Sequence, residues 1–286
     1  MKKVSLVYNL DSRHKWRDAK TSTADCDGGC RSIDFFTEGL LNKIEFLKSP
    51  DVELEVIIYV DIHEPLTEEI NSFFDQMIEQ NKLHHLIIKQ HSAERFGSMY
   101  GKKNNDLIYV EALDLATGDY VVHFDSDIAA FRKSDVNMTQ WYMYQLENYK
   151  YVSIPSDWSP NCVDISSIRW QHMDYMWAST RFFICERKTL PSKDELLKCF
   201  NNDYLESHYG KAAKPNCLEH ILGVIAEPGS VYYPPMSDFY LILSWSTYWK
   251  GMLGKLNTMP FQEVRDYVFK TCGGIFGAND VVGQPL

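Results

Sequence analysis

The sequence predicts an α/β protein whose first half is regular and whose second half is elaborated. Three observations lead there. From Val4 to Lys89, apolar runs of strand length alternate with stretches of helical period, an alternation that builds parallel sheets. A further apolar run, Tyr120 to Phe124, stops abruptly at Asp125-Ser126-Asp127. The composition, 45% hydrophobic and 24% charged over 286 residues, is that of a globular chain long enough to bury a substantial core.

Taken in order, Val4-Ser5-Leu6-Val7-Tyr8 reads as a buried central strand. Asn9 to Gly29 is polar, carries both charge signs and ends in a glycine pair. A loop this long so early is either a segment that closes over a ligand or a surface excursion. Ile33, Phe36, Leu40, Ile44 and Leu47 recur at three- and four-residue steps, which predicts an amphipathic helix over 32–48 with Ser32 as its N-cap. Ser49-Pro50-Asp51 breaks the chain, and Leu54 to Val60 is the second strand, with Asp61 at its end. A helix runs from Pro65 through Phe73, Met77 and Ile78, and Leu83 to Lys89 is the third strand. Glu94 to Lys103 is a basic loop containing glycine. Asn104 or Asn105 caps a helix through Leu107, Val110, Leu113 and Leu115, which Gly118 is expected to stop. The β-α-β-α-β order predicts a parallel sheet with right-handed crossovers.

The second half is less regular. Tyr151 to Ile154 is a short strand ended by Pro155, and Asp157-Trp158-Ser159-Pro160 is a turn. Trp170, His172, Tyr175 and Trp177 form an aromatic cluster of the kind that packs a core. Thr180 to Cys185 is a strand, Ser192 to Phe200 a helix, and Leu218 to Ile225 begins another. Pro228 to Pro235 is a break before a Tyr/Trp-rich segment that reaches Trp249. The tail from Gly273 to Leu286 is glycine-containing and reads as a lid or plain coil. With no clean linker, the expected organisation is one domain over 1–286. Residues 1–130 form its regular half, 131–250 its elaborated half and 251–286 an extension.

Net charge is −10 and the pI near 5.4, which argues against a broad nucleic-acid face. Seven scattered cysteines make no disulfide framework and predict a reduced, cytoplasmic protein. Cys26 and Cys30 flank Asp27-Gly28-Gly29, but no second ligand pair follows at zinc-site spacing. No signal peptide is expected at the N-terminus, and no apolar run reaches membrane-spanning length.

Ligand sites in open α/β sheets lie at the carboxyl ends of strands. Two aspartates one residue apart, on the turn leaving such a strand, can reach one hard cation. Mg²⁺ or Mn²⁺ held in this way keeps positions open for the phosphate oxygens of a substrate. Most isolated D-x-D triplets are solvated turns or helix caps. Here the apolar strand, the helix before it and the βα units upstream set the triplet apart and point to a metal–diphosphate site.

These residues resemble GT-A type glycosyltransferases, most closely the family 2-like group. Val4-Ser5-Leu6-Val7-Tyr8-Asn9 looks like the family's opening strand. Ala112, Ala116, Gly118, Asp119, Tyr120 and Asp125-Ser126-Asp127 follow the pattern that leads into its D-x-D motif. The likeness covers residues 3–130 well and 131–250 loosely. It implies a GT-A, Rossmann-like mixed sheet flanked by helices, with Mn²⁺ or Mg²⁺ as cofactor and a nucleotide-diphosphate sugar as donor. It also implies roles. Asp125 faces ribose and metal, Asp127 binds the metal, and Asp61 holds the base. Tyr8 either stacks on the base or simply packs at the strand end, and Lys102 or Lys103 either touches base or phosphates or is solvated surface charge. Leu218-Glu219-His220 is similar to the family's acidic pair at a helix start, with His220 in place of the second acid. Glu219 is then either the general base of an inverting transfer, with Asp157 in reserve, or a helix-start acid that the macrodipole favours; His220 is a neighbour that tunes it or a ligand, and leaves retention open. The acceptor is a glycan, a lipid-linked sugar, a protein or a modified nucleobase.

Three other readings compete. A haloacid dehalogenase-type phosphatase follows its first Asp with Gly-Thr or Gly-Val near the chain start, whereas Ile128-Ala129 follow here. A nucleotidyltransferase carries a glycine-rich phosphate loop, which Tyr8 to Lys20 lacks. A non-catalytic carbohydrate-binding protein on the same scaffold has no need of an intact acid pair.

Overall fold

The computed structural model describes residues 1–11, 33–62, 65–89, 106–124, 128–133, 137–153, 182–212, 218–227, 229–232, 240–244 and 281–282. The strands are β1 (Lys2–Asp11), β2 (Val52–Asp61), β3 (His85–Lys89), β4 (Tyr120–Phe124), β5 (Ile128–Lys133), β6 (Tyr151–Ser153), β7 (Phe182–Glu186), β8 (Val231–Tyr232), β9 (Tyr240–Ser244) and β10 (Val281–Val282). The helices are α1 (Ile33–Leu47), α2 (Glu68–Glu79), α3 (Asp106–Leu115), α4 (Met138–Gln145), α5 (Lys193–Cys199), α6 (Asn202–Tyr209) and α7 (Leu218–Ala226).

Seven strands form a mixed sheet in the order β3-β2-β1-β4-β7-β6-β8, and β5 lies between β10 and β9 in a second, three-stranded sheet. The expected parallel half is present: β1 pairs in parallel with β2 and β4, and β2 with β3. β7 enters antiparallel between β4 and β6. This is the mixed α/β sheet flanked by helices that the sequence predicts.

Both faces of the sheet are covered, which is why its strands read as nearly continuous apolar runs. Side chains alternate between two cores. Leu6, Tyr8, Val56, Ile58, Val122 and Phe124 pack with Phe36, Leu40 and Leu47 of α1, with α2 and with α4. Val7, Ile57, Tyr59 and Val121 pack on the other side with α3, α5, α6 and α7. Side chains cap several helices: Thr67 for α2, Asn137 for α4, Ser192 for α5 and Asn201 for α6.

Several expectations are corrected. β1 runs through Asn9 to Asp11, because β2 pairs with it along its whole length; the polar loop therefore starts later than Asn9. α2 begins at Glu68 rather than Pro65, since Thr67 accepts from the Ile70 amide and sets the first turn. Leu83 and His84 precede β3, with both the Lys82 and Leu83 amides bound to the Met77 carbonyl. α3 stops at Leu115, so Gly118 is not its terminator. Gly118 is needed for close approach: a Cβ there would lie 2.7 Å from Ser5 Oγ, 2.8 Å from Ser5 N and 2.9 Å from the Lys3 carbonyl. β5, α4, α6, β8, β9 and β10 were not expected from the sequence.

Candidate functional site

The carboxyl edge of the parallel strands converges on one place. β1 ends at Asp11 and β2 at Asp61, and these two residues are direct neighbours in the ladder. β4 flanks β1 on the other side and stops at Phe124, level with Tyr8. From β1 the chain goes first to β2 on one side and later to β4 on the other, so the strand order reverses there. Such a switch point opens a crevice at the carboxyl ends. After Phe124 the chain leaves the large sheet and resumes as β5 of the small one. Asp125, Ser126 and Asp127 join these two strands and lie outside the described residues.

The floor beneath this edge is built by α1. Tyr8 is fully buried, stacks on Phe36 with ring centroids 5.2 Å apart, and donates its hydroxyl hydrogen to the Phe36 carbonyl at 3.2 Å. Burial makes Tyr8 a core residue in this structure; a base could stack on it only after the ring was uncovered. Lys43 is also fully buried. Its ammonium donates to the Gly39 carbonyl at 3.1 Å and stands 4.9 Å from the Tyr8 ring centre and 5.8 Å from that of Phe124. Ring faces and a helix carbonyl offset part of the cost of removing that charge from water. Phe46 meets Phe124 edge-on at 6.2 Å. One turn along, Asn42 exchanges two hydrogen bonds with the backbone of Ala130 in β5: Nδ2 donates to the carbonyl and Oδ1 accepts from the amide, each at 3.0 Å.

Sequence reasoning missed Asn42 and Lys43. A signal for Lys43 was present: it falls on the stripe Phe36, Leu40, Lys43, Leu47, all of them buried, where a charge is out of place. Asn42 had no such signal, because its partner is a backbone group 88 residues away.

On the other core face, His123 of β4 is fully buried. Its Nε2 lies 3.3 Å from the Tyr59 hydroxyl, and its ring stacks on Phe183. It belongs to the packing under β4.

Glu219 stands in the first turn of α7, half-buried, and His220 beside it is buried. α7 leads through 227–230 into β8, which runs parallel to β6. β6 and β4 are both antiparallel to β7, so β8 and β4 share a direction. A helix feeding a strand runs against it. The N-terminal end of α7 therefore faces the same edge of the sheet as the end of β4.

Asp61 is placed by its backbone at the end of β2, whereas Lys102, Lys103 and Asp157 lie outside the described residues, as do Trp170 and Trp177. Among the described residues, no group of three His, Cys, Asp or Glu side chains is arranged to hold a metal ion, and no helix is long and apolar enough to cross a membrane. A cleft of about 290 Å³ opens between α6 and α7, lined by His208, Tyr209, Lys211, Gly223, Ile225 and Glu227. Burial, with Cys199 and Glu195 nearby, pushes the Tyr209 hydroxyl up to about 12. The cleft involves the C-terminal half of α7, away from Glu219, and is not part of this site.

No protein-family profile and no curated protein matches the chain. It is similar to several solved glycosyltransferase structures. The galactosyltransferase LgtC, in complex with donor and acceptor sugar analogues, is 11% identical, with 82% of this chain and 74% of LgtC covered and a TM-score of 0.45. GlyE of Streptococcus pneumoniae TIGR4 is 12% identical, with 83% of this chain and 46% of GlyE covered and a TM-score of 0.43. The mannosyltransferase PcManGT of Pyrobaculum calidifontis, in complex with GDP-Man and Mn²⁺, is 15% identical, with 82% and 56% covered and a TM-score of 0.36. The chain thus spans about half the length of GlyE and PcManGT. At these identities and scores, activity, donor and metal must be argued from the residues.

Proposed function

We propose that this chain is a metal-dependent glycosyltransferase that moves a sugar from a nucleotide-diphosphate sugar to an acceptor hydroxyl. The observation that supports it best is the sheet edge. The strand that runs into the acid pair leaves the large sheet at its switch point, next to the ends of β1 and β2 at Asp11 and Asp61. Carboxylate oxygens suit a hard cation such as Mn²⁺ or Mg²⁺ rather than a thiophilic one. Bound there, the cation neutralises charge building on the departing nucleoside diphosphate.

In this reading Asp127 and Asp125 are the metal ligands, and Asp125 also meets the ribose. Asp61 accepts a hydrogen bond from the base, and Lys102 or Lys103 reaches base or phosphates. Glu219 takes the proton of the acceptor hydroxyl. Its place at a helix start on the same edge supports this role, and inversion of configuration follows from it. Asp157 is the reserve base. The acceptor is a hydroxyl-bearing glycan, lipid-linked sugar, protein or modified nucleobase.

The test is calorimetry of UDP and GDP against the wild type and Asp127→Asn, each with and without Mn²⁺. Losing partners that merely orient metal ligands costs about 10–100-fold in metal affinity, so losing a ligand should cost the Mn²⁺-dependent affinity at least as much. Circular dichroism should show an unchanged fold. Equal Mn²⁺-dependent affinity in the two proteins would remove the acid pair from the site.

A further inference from the structure

The cleft between α6 and α7 lies outside the candidate active site, and its rim carries a backbone cost. α6 ends on Gly210 at φ 76°, in the left-handed region, where glycine is the usual residue after a helix. α7 ends at Ala226, and the next residue, Glu227, takes the same conformation at φ 71°. Among the described residues, only Asn81 and Glu227 combine a side chain with positive φ. Asparagine accommodates that region, whereas glutamate is strained there. The Glu227 carboxylate pairs with the Lys150 ammonium at 3.0 Å, but both side chains are exposed, and a surface ion pair is worth too little to offset the strain. Strained residues of this kind gather where a side chain serves a ligand, and Glu227 lines the cleft.

A second group lining the cleft is held in one tautomer. His208 stacks on Tyr204 with ring centroids 3.8 Å apart, and its Nδ1 lies 3.0 Å from both the Tyr204 carbonyl and the Ser207 hydroxyl. That hydroxyl itself donates to the Tyr204 carbonyl at 2.9 Å. Only a hydrogen on Nδ1 satisfies all three contacts, which makes Nε2 the acceptor of the neutral imidazole. The cleft thus has two acceptors, Glu227 and His208, and one ammonium donor, Lys211. Its remaining wall includes Tyr209, whose hydroxyl is held by Glu195 at 3.2 Å, and Gly223 and Ile225 of α7. We propose that this cleft binds one neutral sugar residue. Adjacent hydroxyls on a pyranose both donate and accept, which matches a carboxylate, an imidazole and an ammonium together, while its C–H face suits the Tyr209 ring and the aliphatic wall. Charges of opposite sign disfavour a nucleotide or another polyanion. The volume of about 290 Å³ also sits at the lower end for small-ligand pockets. The cleft adjoins the C-terminal half of α7, whereas the other end of that helix faces the edge where β4 ends. The proposal therefore does not depend on the acid pair.

The experiment is saturation-transfer NMR with the methyl glycosides of glucose, galactose, mannose and N-acetylglucosamine, and with glycine as a zwitterionic comparator. EDTA is present throughout, so metal-dependent donor binding does not contribute. The proteins are wild type, Glu227→Gly and His208→Phe. Glycine removes the carboxylate and is at ease at positive φ; phenylalanine keeps a ring over Tyr204 and removes Nε2. Wild type should bind at least one glycoside at about 1 mM, the affinity expected of about a dozen heavy atoms. Glu227→Gly should weaken that binding about tenfold or more, as for a lost charge-assisted hydrogen bond. Its Tm should hold or rise by up to about 3 °C, because the strain is relieved. His208→Phe should weaken binding about threefold to tenfold. Lost binding with undiminished stability is a pair of results that a purely structural glutamate would not give. Unchanged affinity in both variants overturns the proposal, since the sugar would then sit elsewhere. So does silence from all four glycosides, or a response to glycine alone. A Tm for Glu227→Gly well below wild type overturns it too, because the carboxylate would then serve the fold. None of these results touches the acid pair, which is tested separately by Mn²⁺-dependent nucleotide binding.

Discussion

At the amino edge of the sheet, Glu55 is 3% exposed and meets donors from three residues. It accepts from Ser5 Oγ at 2.5 Å, from the Thr117 amide at 2.8 Å and from the Thr117 hydroxyl at 2.7 Å, and pairs with the Lys3 ammonium at 3.1 Å. His85 Nε2 stands 3.8 Å away. Burial pushes the carboxyl up, but the bonds from Ser5, Thr117 and Lys3 outweigh it and hold the group at about 2. Because the folded value lies below the unfolded one, this stabilisation is fully present above about pH 4.5 and is lost as pH falls towards 2. The shift corresponds to about 3 kcal/mol. Glu55→Gln should therefore cost about 3 kcal/mol at pH 7 in urea denaturation, and the gap from wild type should narrow between pH 4.5 and 2. A gap that does not change with pH would contradict the assignment. The same cluster explains Gly118, whose amide donates to Ser5 Oγ at 2.8 Å. In the sequence this glycine reads as a helix stop, because close approach to β1 has no local signature. Glu55 was equally hidden, lying inside an apolar strand run with its partners 50 and 62 residues away.

α1 is the element that joins the two sheets. It stacks Phe36 on β1, packs Phe46 on β4 and binds β5 through Asn42. Its C-terminal carbonyl at Leu47 accepts from the buried Thr139 hydroxyl of α4 at 2.6 Å, and Ser49 just beyond accepts from the cap residue Asn137 at 2.7 Å. The helix itself was legible, because five apolar residues share one face. Its partners were not. β5 reads Ile-Ala-Ala-Phe-Arg-Lys, with little to mark a strand, and its pairing with β9 spans more than a hundred residues of sequence. α4 carries apolar residues around its surface without a single stripe, and α6 buries only Leu205 among the residues of its helix. Thr139→Val tests the α1–α4 joint. It preserves shape and leaves the Leu47 carbonyl without this donor, which should cost about 1–2 kcal/mol in chemical denaturation with an unchanged m-value. No measurable change would mean that water replaces the hydroxyl and that the joint is carried by packing alone.

Over the whole molecule, the parallel half could be read because its strands are buried on both faces and so announce themselves as apolar runs. The direction of β7 could not. Phe182-Phe183-Ile184-Cys185 reads as a strand in either sense, and only pairing fixes it antiparallel to β4 and β6. The site follows the same division. The acid motif follows β4 and Asp61 ends β2, at strand ends that the pattern located, whereas Asn42 meets a backbone partner 88 residues along the chain. This arrangement makes a prediction about the molecule as a unit. A donor that binds the native state alone stabilises it in proportion to the logarithm of its concentration over Kd, about 2.7 kcal/mol at one hundred times Kd. For a chain of this size that is a rise in Tm of about 5–10 °C. UDP-, GDP-, ADP- and dTDP-sugars should be compared by thermal shift with Mn²⁺, then with EDTA in its place. If the proposed site is right, one nucleotide class should raise Tm in that range with Mn²⁺, and EDTA should remove most of the rise, because the diphosphate would then face two carboxylates without a cation to neutralise the repulsion. The sugar-free diphosphate of the same nucleoside should retain much of the shift, since base and metal contacts remain. A shift that survives EDTA would move the nucleotide away from the acid pair. Silence from all four donors at saturating Mn²⁺ would count against a nucleotide-sugar enzyme altogether.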